Sequence, residues 1–199
     1  MRLIATILCF FLSSSALAEI YQGIGPLDNL GDVRARFPSA AYENIKAAWV
    51  TESDALYKIS GMGISGDIYV KFSDSRPEFR KMIQESDSNE PNETLNSLAQ
   101  QSDEEALSVE WVRWIPVQPI PLQRFILKYG NPSKSGFDDQ DLEPYKLWES
   151  RGISAYISDN EKHVLRVDYT FTNQEYRAAY KAKYKFIPKW LEPDKKVKK

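Results

Sequence analysis

The stretch from Leu107 to Ile115 constrains the chain more than any other. It reads Leu-Ser-Val-Glu-Trp-Val-Arg-Trp-Ile. Successive side chains of a strand point to opposite faces of a sheet. A strand here would put Leu107, Val109, Trp111, Arg113 and Ile115 on one face and Ser108, Glu110, Val112 and Trp114 on the other. A tryptophan on each face places it centrally in a sheet, or at a contact between two halves of the molecule. Further period-two runs predict strands at Ala55–Ser60, around Ile68, Val70 and Phe72, at Ile153–Ser158 and at Val164–Phe171, the last two joined by a tight turn over Asp159–Lys162. The glycines between Gly61 and Gly66 mark a turn.

Helical spacing appears between these runs. Leu27, Leu30, Val33 and Phe37 predict an amphipathic helix from Pro26 to Phe37, stopped by Pro38, and Ser39–Val50 reads as a second short helix. Pro116, Pro119 and Pro121 predict an extended connector, after which Leu122, Phe125, Ile126 and Tyr129 form another apolar stripe that ends at Gly130. Ser133–Leu147 reads as an acidic, irregular connection. Two capping boxes, Ser75 with Glu78 and Thr172 with Glu175, each start a helix behind a strand.

These features recur in order. Pro26-Leu27 matches Pro121-Leu122, Trp49 matches Trp148, and Ile59-Ser60 matches Ile157-Ser158. Ile68, Val70 and Phe72 match Leu165, Val167 and Tyr169, and the two capping boxes follow at the same distance. The expectation is an α+β fold of two related units, each with helices packed on an antiparallel sheet, at residues 19–83 and 107–187. With the Leu107–Ile115 strand added, the first unit reads βαββαβ, the ferredoxin-like order. Between the units, residues 84–106 are rich in acids and lack Lys and Arg, which predicts an acidic flexible loop. Residues 188–199 form a basic tail.

The start of the chain predicts export. Met1-Arg2, an apolar run from Leu3 to Leu12 and Ala16-Leu17-Ala18 follow the order of a secretory signal peptide over residues 1–18, cleaved near Ala18. The lone Cys9 falls within it, so the mature chain has no cysteine and no disulfide, which fits a bacterial periplasm better than a small disulfide-dependent secreted domain. Arg177–Lys199 holds nine basic residues against two acids, while the body before it is acidic. An acidic body argues against nucleic acid as a partner, and the basic tail suits peripheral contact with an anionic membrane.

Phe125 to Pro132, then Trp148, then Gly152-Ile153-Ser154-Ala155, resembles the small periplasmic module of BamE and of β-lactamase inhibitor protein. The resemblance implies helices packed on an antiparallel meander and a non-catalytic role, either scaffolding outer-membrane assembly or inhibiting an enzyme. The capped helix after the second strand departs from that pattern, as does the missing lipid-attachment cysteine.

Catalytic chemistry finds little to work with. His163 is the only histidine, without the partners that a hydrolase triad or a zinc site needs. Gly61-Met62-Gly63 lies between two strands rather than before a helix, so it is no phosphate loop. No metal or cofactor is expected. The leading expectation is an exported periplasmic binding protein, not an enzyme, whose partner is another envelope protein. Its candidate contacts are Trp111, Arg113 and Trp114 on the strand and Lys195, Lys196, Lys198 and Lys199 in the tail. Two alternatives are an inhibitor of a secreted or periplasmic protease, lysozyme or β-lactamase, and a hydrolase built on a pair of carboxylates.

Overall fold

The computed structural model describes residues 23–47, 54–61, 64–74, 107–139 and 141–192. The Ser75–Arg80 capping box, Trp49, the acidic loop and the four tail lysines lie outside them. Nine strands form one antiparallel sheet: β1 (Ala40–Asn44), β2 (Ala55–Gly61), β3 (Asp67–Asp74), β4 (Leu107–Ile115), β5 (Ile120–Pro121), β6 (Lys134–Asp138), β7 (Glu143–Trp148), β8 (Ile153–Ile157) and β9 (His163–Thr170). Their order is β1-β2-β3-β4-β9-β8-β7-β6, with β5 pairing β9. Helices α1 (Leu30–Arg36), α2 (Leu122–Tyr129) and α3 (Asn173–Tyr184) complete the described residues, with short 3-10 turns at Glu149–Arg151 and Lys189–Leu191.

The expected pair of units, each with helices on its own antiparallel sheet, does not form. The reason lies in β4, which is hydrogen-bonded along both edges, to β3 and to β9, so the sheet has no edge at which to divide. The ferredoxin-like order is absent as well, because consecutive strands lie side by side in each half of the sheet. The sheet does have an internal symmetry of hydrogen-bond order about the Arg113–Asp168 pair, which is flanked by Val112–Tyr169 and Trp114–Val167. A twofold perpendicular to the sheet there exchanges β4 with β9, β3 with β8, β2 with β7 and β1 with β6. This equates β3 with β8, whereas the matches in the sequence set it against β9.

One face of the sheet is dry. Ile59, Ile68, Val70, Val109, Val112, Ile153, Ala155, Val164, Val167 and Tyr169 join Leu30 and Val33 of α1, Leu122 and Phe125 of α2 and Tyr176 and Tyr180 of α3 in a single buried cluster. All three helices therefore cover the same face. Burial of this apolar area is the main force holding the sheet and helices together.

Local chemistry sets where the helices begin. α1 starts at Leu30, not Pro26, because Asn29 and Asp32 form a capping box there, while Leu27 sits at φ 68° in a turn. α2 begins after Pro121, and its end is tied to β7 by Trp148, whose indole N–H donates to the Gly130 carbonyl at 2.8 Å. The Thr172–Glu175 capping box opens α3, and Lys185 ends it at φ 63°. The segment expected as a second short helix contains β1, whose Tyr42 hydroxyl donates to carbonyls of Val33 and Phe37. The segment expected to be irregular forms the β6–β7 hairpin. Gly152 is required between β7 and β8: it has φ 62°, and a Cβ there would sit 1.8 Å from the Thr170 carbonyl oxygen.

Candidate functional site

A register shift decides what the second face of the sheet displays. Opposite the Lys71–Phe72 step, β4 skips one residue: Lys71 pairs with Trp111 and Phe72 with Val109. Glu110 is the extra residue of a β-bulge, and it resets the alternation. Val109 and Val112 consequently share the dry face, and Trp111 and Arg113 share the opposite one. The expected grouping of Val109 with Trp111 is thus corrected. β9 has the same irregularity, where Tyr156 pairs with Arg166 and Ile157 with Val164.

On the second face Arg113 lies between Tyr69 and Asp168, and Trp111 between Lys71 and Thr170. Arg113 donates to both oxygens of Asp168, from Nε at 2.8 Å and Nη2 at 2.7 Å. Its guanidinium carbon is 5.5 Å from the centre of the Trp111 ring. Burial opposes the Arg113 charge, but the hydrogen bonds and charge of Asp168 outweigh it and hold the guanidinium above its ordinary pKa.

Arg166, one strand-pair along, is the second centre. Its guanidinium lies over the Tyr156 ring at 3.7 Å and pairs with Asp141 at 2.6 Å and Glu143 at 3.2 Å. The Tyr156 hydroxyl donates to Asp138 at 3.2 Å. Burial pushes the Tyr156 phenol up, the Asp168 charge adds to that, and Arg166 opposes it. Across the sheet, Lys71 bridges Asp54 at 3.1 Å and Glu110 at 2.8 Å. Burial pulls the Lys71 ammonium down, and Glu110 and Asp54 more than reverse this.

An open groove of about 530 Å³ runs along Trp111, Arg113, Asp141, Ser154, Tyr156, Asp168 and Thr170. A second hollow of about 580 Å³ continues from Ser154 and Tyr156 to Phe137, Asp138 and Tyr145. The groove carries two carboxylates, Asp168 and Asp141, and each already accepts hydrogen bonds from a guanidinium. A glycosidase pair needs one carboxyl group as a proton donor, whereas both of these carboxylates are paired with guanidinium groups. Among the described residues no cluster of His, Cys, Asp or Glu is placed to hold a metal ion. His163 lies at the start of β9, opposite Pro121.

Of the residues singled out from the sequence, the structure brings Trp111 and Arg113 together. Trp114 belongs to the other face: it lies between Ile68 and Val167, and its indole N–H donates to the Ser65 carbonyl at 2.6 Å. Lys195, Lys196, Lys198 and Lys199 lie outside the described residues. Asp168, Arg166, Tyr156 and Asp141 were not singled out. The only local sign of the first three was the polar half of the alternation in β8 and β9, which any solvated strand face shows. No family model, curated protein or solved structure matches the chain.

Proposed function

We propose that the chain is an exported, non-enzymatic binding protein that holds another envelope protein against the second face of its sheet. One observation carries this reading: Arg113 donates from Nε and Nη2 to the two oxygens of Asp168 and lies beside Trp111 in the wall of an open groove. Tryptophan, tyrosine and arginine dominate the energetics of protein interfaces. Side chains already held in one geometry lose little entropy when a partner arrives. The chemistry of the groove supports recognition over turnover, since its carboxylates are committed to cations. Placement in the envelope rests on the signal-like start of the chain and its lack of other cysteines.

A photo-crosslinking residue at Thr170, within the groove, tests this in living cells against a control at Leu127 on α2. The expected result is a discrete protein adduct from Thr170 alone, lost when Trp111→Ala and Arg113→Ala are added. Failure to form the adduct, or the same adduct from Leu127, overturns the docking reading. Turnover of an ester or glycan substrate by the purified chain overturns the non-enzymatic part.

A further inference from the structure

We propose that the end of α3 and the turn after it form a docking surface for an anionic lipid bilayer. This surface lies outside the groove, so it holds whichever protein occupies the second face of the sheet. Tyr184, Phe186 and Ile187 are 44%, 45% and 39% exposed, unlike the buried Tyr180 and Tyr176 one and two turns before Tyr184. They form a single knuckle. Lys185 at φ 63° ends the helix and folds the chain back, which brings Phe186 to 6.2 Å from both Tyr180 and Tyr184, ring centre to ring centre. Fully buried Leu191 anchors the next turn, and Trp190 packs edge-on against Tyr180 at 6.0 Å. The knuckle is thus a fixed apolar projection.

Its surroundings decide the occupant. No acidic residue lies between Glu175 and Glu192, while Arg177, Lys181, Lys183, Lys185 and Lys189 fall within that interval. Arg177, Lys183 and Lys185 donate to the carbonyls of Leu191, Leu27 and Ala182, which leaves Lys181 and Lys189 on the same stretch as the exposed aromatic and aliphatic side chains; that combination is the chemistry of an interfacial site, with the rings entering the headgroup layer and the ammonium groups meeting lipid phosphates. A second copy of this chain would bring the same positive field against itself. No helix of the described residues is long and apolar enough to cross a membrane.

Co-sedimentation of the full mature chain with vesicles tests the proposal. Vesicles of mixed phosphatidylglycerol and phosphatidylcholine should bind it in a salt-sensitive way, and pure phosphatidylcholine should not. Phe186→Ser with Ile187→Ser should weaken binding at least about tenfold. Lys181→Gln and Lys189→Gln should each cost about fivefold, whereas Lys128→Gln on α2 should change nothing. Equal binding to both vesicle types, or unchanged binding by the double serine variant, overturns the proposal. So does a solution dimer that the double serine variant disperses, since that assigns the knuckle to a second copy.

Discussion

The two flanks of the β4–β9 seam place the same chemistry in opposite order. On one flank Lys71 of β3 stands beside Trp111 of β4; on the other Tyr156 of β8 stands beside Arg166 of β9. The twofold order of the sheet makes Lys71 equivalent to Tyr156 and Trp111 to Arg166, so cation and aromatic have changed places. Each cation also takes two carboxylates, Asp54 and Glu110 for Lys71 and Asp141 and Glu143 for Arg166. The cations behave differently. Arg166 lies over the Tyr156 ring at 3.7 Å while pairing with its acids, whereas Trp111 receives Arg113 from its own strand at 5.5 Å. A guanidinium can stack and hydrogen-bond at once; an ammonium acts as a point charge. Cross-strand neighbours therefore leave the order of cation and aromatic open, but the site over the Tyr156 ring needs Arg, whereas the Lys71 site needs only a positive charge.

The largest test removes the floor beneath both flanks. Tyr169 is 1% exposed, faces Val112 on the dry side and donates to Glu175. Tyr169→Ala should cost about 3–5 kcal/mol in urea unfolding, and a loss below about 1 kcal/mol would mean that the seam is not rigid. Exchanging the cations is the next test. Arg166→Lys gives up the stacking on Tyr156 and should cost about 1 kcal/mol, while Lys71→Arg should change stability by less than about 0.5 kcal/mol. Equal effects would erase the difference between the flanks.

Alkaline pH separates them further. The folded pKa of Lys71 lies above its ordinary value of 10.5. Its contribution is therefore complete below that value and is lost as pH rises through the folded pKa. Tyr156, raised from 10.0, loses its contribution in the same direction. In a Tyr156→Phe background the urea midpoint should fall above about pH 10.5, and Lys71→Arg should flatten that fall. A slope unaffected by Lys71→Arg would show that other groups carry it. The smallest effect belongs to the exposed Lys134–Glu149 pair at the β6 edge: Lys134→Met should leave the midpoint unmoved.

Part of this was legible in the chain itself. β4, β8 and β9 follow from alternation, α2 from its stripe of Leu122, Phe125, Ile126 and Tyr129, and the start of α3 from Thr172 and Glu175. Signals of this kind are local, complete within a few residues. β1 was not legible, because all five of its residues are half-buried or exposed and Ala-Ala-Tyr-Glu-Asn carries no alternation of apolar and polar side chains. The β6–β7 hairpin was hidden by its acids. Asp138, Asp141 and Glu143 look like loop residues until Tyr156 and Arg166, distant in sequence, are placed beside them.

The sequence by itself determined that the chain is built on half-buried strands with capped helices, and that its C-terminal stretch is basic. These follow from side-chain order along the backbone. The tertiary structure decided that the strands make one sheet rather than two, because pairing on both edges of β4 is a long-range choice. It also decided which residues meet. The bulge at Glu110 turned Trp111 away from Val109 and set Arg113 against Asp168, and an extra residue in a ladder exists only once a partner strand has fixed the register.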